Sequence, residues 1–287
     1  MASQAVNPTE FRDGQRKQWS VAAHGWKKHS DWIDARVSGV SQRLVELAGV
    51  APGSRVLDVA AGYGEPSLTA ARVVGPDGSV VATDISAEML AFGRERAAAA
   101  GVSNIEFIES DAVSLDFPPD TFDAAVSRWG IIFDPDGEGA AARVREFLKP
   151  GAKFAISSWG PPERAPFLAL PMRVVMQRLG VPPPAPGTPG PLSRPTAEAI
   201  GGLLKGGGFT DIAVEETEVT FEYTSPEEFT SFVREIAPPV TAMMADRSPE
   251  VQQETWTAIA EAAREEVSEP DGSLRLTNQV LMASGKA

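Results

Sequence analysis

From Arg55 to Trp159 the chain alternates short apolar runs with segments whose apolar residues recur every three or four positions. The short runs "RVLDVA" (55–60), "SVVATDI" (79–85), "IEFIES" (105–110), "FDAAVSR" (122–128) and "KFAISSW" (153–159) predict five β-strands. Between them, "PSLTAARVV" (66–74), "AEMLAFGRERAAAA" (87–100) and "GEGAAARVREFL" predict helices, with Ser86 as cap and Gly101 as stop for the second. "GPDG" and "KPGA" read as turns. Runs that are apolar at nearly every position, such as 56–60 and 80–82, suit strands covered on both faces. The pattern therefore predicts an α/β fold, with parallel strands between two layers of helices.

The pattern changes on either side of this stretch. Residues from about 10 to 47 have helical spacing and no strand alternation, and predict one or two helices ahead of the core. After Trp159 come a helix of about 15 residues and a proline-rich stretch, 181–195, read as a surface crossing. "TAEAIGGLLKGGGF" predicts a helix ended by glycines, and "DIAVEETEVTFEY" a long strand. Residues 226–268 predict two more helices, and "LRLTNQVLMASGK" (274–286) a final strand. The last two strands are expected to join the sheet beside the fifth. This gives a helical lid (1–48), a core (49–160) and a remainder (161–287) that completes the sheet and inserts helices, all in one domain.

Composition narrows the chemistry. The 287 residues are 43% hydrophobic and 23% charged, an ordinary globular balance. A net charge of −13 disfavours nucleic acid or an anionic membrane as the main partner, and "RDGQRKQW" reads as a solvated helix face. With no cysteine, disulfides, thiolate zinc sites and cysteine nucleophiles are excluded, and two histidines are too few for a multi-histidine metal site. The N-terminus lacks the apolar core of a signal peptide, and no apolar stretch reaches membrane-spanning length, so a cytoplasmic protein is expected. The expected partner is a small molecule. Oligomeric state is not legible, and a homodimer is compatible with the sequence.

The candidate chemistry lies in "VLDVAAGYGEPS" (56–67), where the first strand runs into a glycine turn. A loop between a parallel strand and its helix lies at the carboxyl edge of the sheet, where ligands bind. Gly62 and Gly64 allow close backbone approach, and Asp84, at the end of the second strand, can accept both hydroxyls of a ribose. A dinucleotide fingerprint would need a third glycine where Ser67 stands. Pro66 lacks an N–H and Glu65 adds negative charge, so the turn opposes a phosphate and suits a ribose-bearing cation. A tight packing turn is the alternative reading of the glycines alone, and Asp111 alone would more often be a helix cap than a ligand contact.

"VLDVAAGYGEPS", "VVATDISAEML", "IEFIESDAVSLDFPPDTFDAAVSRWGIIF" and "FLKPGAKFAISSW" resemble the successive motifs of class I S-adenosylmethionine-dependent methyltransferases. The resemblance covers about residues 50–160 and is strongest to the ubiquinone/menaquinone-biosynthesis C-methyltransferase-like subgroup (methyltransferase domain 11 type). It implies a Rossmann-like, seven-stranded, mostly parallel sheet with an antiparallel last strand, and S-adenosyl-L-methionine as cofactor. It also implies roles by position. Asp58 would approach the methionine ammonium or hold the loop, and Ala60, Gly62, Tyr63 and Gly64 would line methionine and ribose. Asp84 would bind the ribose hydroxyls, Ile85 and Met89 the adenine face, and Ser110, Asp111 and Ala112 its amino edge. Ser127, Arg128 and Trp129 would sit under the sulfonium. Tyr63 replaces the commoner threonine, serine or cysteine and narrows the pocket, and "KPGA" replaces a double glycine.

"SRWGIIF" lacks the Asn/Asp-Pro-Pro-aromatic motif of enzymes that methylate nucleobase or glutamine amino groups. The expected acceptor is small and largely apolar: a quinone or phenol precursor, a prenyl-like lipid or a secondary metabolite. Carbon and oxygen are the favoured sites, with nitrogen behind. His24 and His29 are the candidate general bases, and Trp19, Trp26 and Trp32 a candidate aromatic lid. Phe133, Trp159 and Phe167 are candidate acceptor contacts. Surface histidines and tryptophans that merely anchor helices are the plainer readings. A nicotinamide-dependent oxidoreductase and a non-catalytic S-adenosylmethionine-binding module are the alternatives.

Overall fold

The computed structural model describes residues 7–185 and 188–287. The first six residues of the expected lid and two residues of the proline-rich crossing lie outside that range. The alternation produces β1 (Arg55–Val59), α2 (Ser67–Val74), β2 (Ser79–Asp84), α3 (Ala87–Ala99), β3 (Ile105–Glu109), β4 (Phe122–Arg128), α4 (Gly137–Phe147) and β5 (Leu148–Trp159). Beyond them lie α5 (Pro166–Leu179), α6 (Ala197–Gly206), β6 (Thr210–Tyr223), α7 (Pro226–Ile236), α8 (Pro238–Ala242), α9 (Pro249–Val267) and β7 (Leu274–Lys286). One seven-stranded sheet has the order β3-β2-β1-β4-β5-β7-β6. Its first five strands are parallel, and β7 runs antiparallel to both β5 and β6. From β1 the chain builds outward to β2 and β3, then crosses to β4 on the other side. The order thus reverses between β1 and β4, which opens a crevice above their carboxyl ends.

Successive strand residues feed opposite cores because strand side chains alternate. Val56 enters the core shared with the N-terminal helix, α2, α3, α5, α7 and α9, whereas Leu57 enters the core under α4 and α6. The covered faces explain why β1 and β2 are apolar at almost every position.

Two expectations need correction and one is narrowed. The N-terminal segment, expected as one or two helices, is a single helix, α1 (Pro8–Leu47), whose cap Asn7 accepts a hydrogen bond from the Thr9 amide and whose first residue is proline. No further proline interrupts it before Pro52. "KPGA" is not a turn ahead of the fifth strand but lies within β5, where the pairing with β4 slips between Phe122 and Ala124. Residues 226–268 form three helices rather than two, because Pro238 and Pro239 end α7 and start α8, and Pro249 starts α9.

The last two strands fall beside β5 as expected, and they also overshoot it. Trp159, the last residue of β5, pairs with Val280, but β7 continues back to Leu274, beyond β5, paired with Glu218–Tyr223 of β6. This projecting strand pair carries Phe221 and Tyr223 past the carboxyl edge, where they meet Trp32 of α1 and Phe232 of α7. The overshoot, α1 and α7 together wall in the space above β4 and β5. No helix of the described residues is long and apolar enough to cross a membrane.

Candidate active site

The crevice between β1 and β4 opens into a cavity of about 230 Å³. Its polar end is the glycine turn. Ala60 and Gly62 both have left-handed backbone angles, with φ of 58° and 54°. Open space lies where a Gly62 side chain would point, so a ligand can approach that backbone. Gly64 does not line the cavity; a Cβ there would lie 3.3 Å from the Cα of Gly93, so this glycine lets α3 close on the turn.

Asp84 sets the shape of the turn. Its carboxylate accepts hydrogen bonds from the Gly62 amide (2.8 Å) and the Ser86 amide (2.9 Å). Burial pushes its pKa up to about 6, against the pull of those N–H donors. Each oxygen keeps a free lone pair, and the residue lines the cavity. Ile85, Met89, Ser110, Asp111 and Ala112 line the same wall. The Asp111 carboxylate accepts from the Val113 and Ser114 amides and from the Ser114 hydroxyl, so it shapes its own turn.

Asp58 lies outside the cavity lining. It is fully buried, accepts a hydrogen bond from the Ser67 hydroxyl at the start of α2, and is pushed up to about 7 by desolvation. Its place is under the loop rather than beside a ligand, and Oδ1 has no partner. Ser127 also lies behind the wall. Its hydroxyl donates to the Val59 carbonyl (2.8 Å) and accepts from the Ile131 amide (3.0 Å), tying β1 to β4. Above it, Gly130 is obligatory: a Cβ there would fall 2.4 Å from the Cβ of Ala60. The intervening Trp129 is held at φ 53°, a strained angle for a large side chain, with its ring parallel to Trp159 at 4.4 Å.

One network joins the turn to α1. Tyr63 is buried and faces the cavity; its hydroxyl donates to Asp34 of α1 (2.7 Å) and accepts from Arg128 (2.8 Å). Arg96 of α3 pairs with Asp34 and donates to the Tyr63 carbonyl. Burial pushes the Tyr63 phenol up, so it stays protonated and can serve both partners. Nearer its N-terminus, α1 spans the crevice and touches both banks. Arg12 pairs with Asp134, the Trp19 ring meets Phe133 edge-on at 5.3 Å, and Ser20 donates to Glu88 of α3.

The far end of the cavity is apolar. Trp26, Trp159, Phe167, Phe221, Phe232 and Ile236 are among its walls. Of the expected acceptor contacts, Trp19, Trp26, Phe133, Trp159 and Phe167 line the cavity. Trp32 does not: it packs one layer behind, against Phe221, Tyr223 and Phe232, with the Arg36 guanidinium over its ring at 3.8 Å. The two histidines are not in the lining either, and they are not placed to take a proton from a ligand there. His24 is exposed on α1, and His29 bonds Glu235 at 2.7 Å, also the partner of Lys28, and packs on Phe232. Sequence reasoning missed Phe221, Phe232, Ile236 and Val240, which are apolar residues of ordinary amphipathic elements with no signal separating a cavity wall from a core.

Residues 56–151 match the family model for a methyltransferase domain. A ubiquinone/menaquinone biosynthesis C-methyltransferase of Teredinibacter turnerae is 37% identical over 141 residues, 47% of this chain and 57% of the relative. The corresponding Pseudomonas putida protein is 38% identical over 152 residues, 51% of this chain and 59% of the relative. The chain thus spans a little over half the length of the curated relatives it matches. In fold it resembles phosphoethanolamine N-methyltransferase 2 of Haemonchus contortus, solved with phosphomonomethylethanolamine and S-adenosylhomocysteine (TM-score 0.58, 20% identity, 96% of this chain and 60% of that one). It also resembles the YcgJ protein of Bacillus subtilis (TM-score 0.53, 17% identity, 87% and 99%). The match to the methyltransferase domain covers β1 through the first part of β5. The apolar chamber is walled by α1, α5, β6, α7 and α8 and so falls outside it.

Proposed function

We propose that the chain transfers a methyl group from S-adenosylmethionine to a carbon or oxygen of a small, largely apolar acceptor, with nitrogen less favoured. The observation that carries the reading is the single cavity joining the Gly62–Asp84 edge to an aromatic chamber. The residues present suit the cofactor. Asp84 has lone pairs for ribose hydroxyls, Gly62 leaves open space, and Met89 and Ile85 offer an apolar face for adenine. Bound there, the cofactor would supply an electrophilic methyl on positive sulfur.

The chain's own contribution is placement and exclusion of water. Alignment of two reactants can supply roughly 7–11 kcal/mol of a barrier. Charge is lost as the methyl moves, so a low-dielectric chamber favours the step. Trp129 and Trp159 form a rigid wall beside the cofactor end, and α1 roofs the crevice through Trp19, Trp26 and Arg12. Trp26, Trp159, Phe167, Phe221, Phe232 and Ile236 carry no proton-accepting group, and the lining carboxylates Glu65 and Asp134 are bonded to Thr69 and Arg12, so an acceptor that is electron-rich at carbon, or ionised before entry, fits the apolar end.

The reading is tested by incubating the protein with methyl-labelled S-adenosylmethionine and a panel of phenols, hydroquinones and prenylated lipids. Label should pass into at least one apolar acceptor. Label in none of the phenolic, quinol or lipid classes, or in polar amines alone, would contradict it.

A pH dependence follows from Asp84. Its ionised form offers ribose hydroxyls two charged acceptor oxygens, whereas protonation removes the charge and turns one oxygen into a donor, so affinity rises with pH through about 6. Lowering the pH from 7.5 to 5 should raise the S-adenosylhomocysteine dissociation constant roughly tenfold, the fall in ionised fraction for such a group. In Asp84→Asn this dependence should vanish. A wild-type profile flat across that range would refute the assignment.

A further inference from the structure

We propose that Arg128 is the receptor for the α-carboxylate of the adenosyl amino acid, rather than a residue lying beneath its sulfonium. This rests on the reading just given and adds an orientation to it. Arg128 ends β4 on the cavity wall and is 8% exposed. Among the described residues it forms no ion pair. Its two side-chain hydrogen bonds go to neutral oxygens, Ser41 Oγ on α1 (2.8 Å) and the Tyr63 hydroxyl of the glycine turn (2.8 Å). The nearest carboxylates are occupied elsewhere: Asp34 by Tyr63 and Arg96, and Glu65 by the Thr69 hydroxyl.

A guanidinium offers five N–H donors, and the two bonds above leave three. A buried cation without an opposite charge is costly, and the planar fork suits a carboxylate better than any other anion of that size. The fork is also prevented from turning away, since Ser41 and Tyr63 hold it from two elements and the Tyr63 ring is backed by Trp26 at 5.3 Å. Charge sign separates the two placements. The sulfonium and ammonium of the cofactor are positive, so a guanidinium beneath the sulfonium would repel it, while the carboxylate is the one group it attracts. Asp84 and Arg128 both bond the 62–63 turn, Asp84 through the Gly62 amide and Arg128 through the Tyr63 hydroxyl. The two ends of the ligand would then be held by opposite charges fixed to one loop.

The test is calorimetry with two ligands, S-adenosylhomocysteine and 5′-(3-aminopropylthio)-5′-deoxyadenosine, which lacks only the carboxylate. The wild-type protein should prefer the first by about 30-fold or more, as expected for a desolvated charge pair. Arg128→Gln should cut that preference to about threefold while binding of the decarboxylated ligand stays within about twofold. Ser41→Ala, which keeps the charge but loosens its mounting, should reduce the preference by about threefold, and keeps the test open if Arg128→Gln does not fold. Equal affinity of the wild type for the two ligands, or an equal loss of both in Arg128→Gln, overturns the proposal, the second marking a merely structural arginine or one that serves an anionic acceptor. No binding of S-adenosylhomocysteine to the wild type would instead remove the functional reading beneath it.

Discussion

Asp84→Ala is expected to weaken S-adenosylhomocysteine binding by about 100-fold, the loss of roughly two charge-assisted hydrogen bonds. The side chain does two things at once. It accepts from the Gly62 and Ser86 amides, which fixes the turn, and it presents its remaining lone pairs to the cavity. Alanine loses both. Asp84→Asn keeps the size and one acceptor oxygen but turns a donor NH2 toward either the Gly62 or the Ser86 amide, and should fall between alanine and wild type. Calorimetry separates the three, and a folded Asp84→Ala protein that binds within about threefold of wild type would exclude the carboxylate from the ligand site.

Gly25→Val is expected to cost about 2–3 kcal/mol of stability and to open the apolar chamber. The Cβ of any side chain at position 25 would fall 2.1 Å from the Glu235 carbonyl oxygen, so α1 and α7 cross with backbone against side-chain-free backbone. A rigid carbonyl cannot yield as a flexible side chain would. The next residue, Trp26, donates its indole N–H to the Ile236 carbonyl (3.0 Å), and both residues line the chamber. Forcing the helices apart therefore breaks that bond and admits water to the wall. Thermal melts should show a fall of several degrees for a chain this size. Binding of an apolar dye should rise in the folded variant. A variant as stable as wild type would mean that the crossing is looser than the structure has it.

The parts of the fold that were legible in the sequence are those governed by local rules. The βα alternation from 55 to 159 follows from periodicity and caps, and the long strands at 211–223 and 274–286 from alternation. The cofactor end was legible because a glycine turn and an acid at the next strand end are forced together by the parallel register, which pairs Val59 with Thr83. Asp58 and Gly64 belong to the same stretch of sequence, yet the structure turns them into the packing beneath the turn. Only tertiary contact decides which side of a loop a residue faces.

The apolar end of the cavity was hidden for a related reason. Phe221, Phe232 and Ile236 have the same spacing whether they face a core or a cavity. His24 and His29 drew attention as the only histidines, but five positions along a helix separate their faces, and neither face points into the cavity. Trp32 was grouped with Trp19 and Trp26 by type. On the structure it belongs to the next layer out, where it braces the β6–β7 overshoot rather than touching the cavity.

The central claim is that the crevice beside Gly62 and Asp84 receives an adenosyl amino acid. Titration of the wild-type protein with S-adenosylhomocysteine in a calorimeter at pH 7.5 tests it directly. One ligand per chain with a dissociation constant in the micromolar range is the predicted result. Heats indistinguishable from dilution, from a protein shown to be folded by its thermal melt, would contradict it.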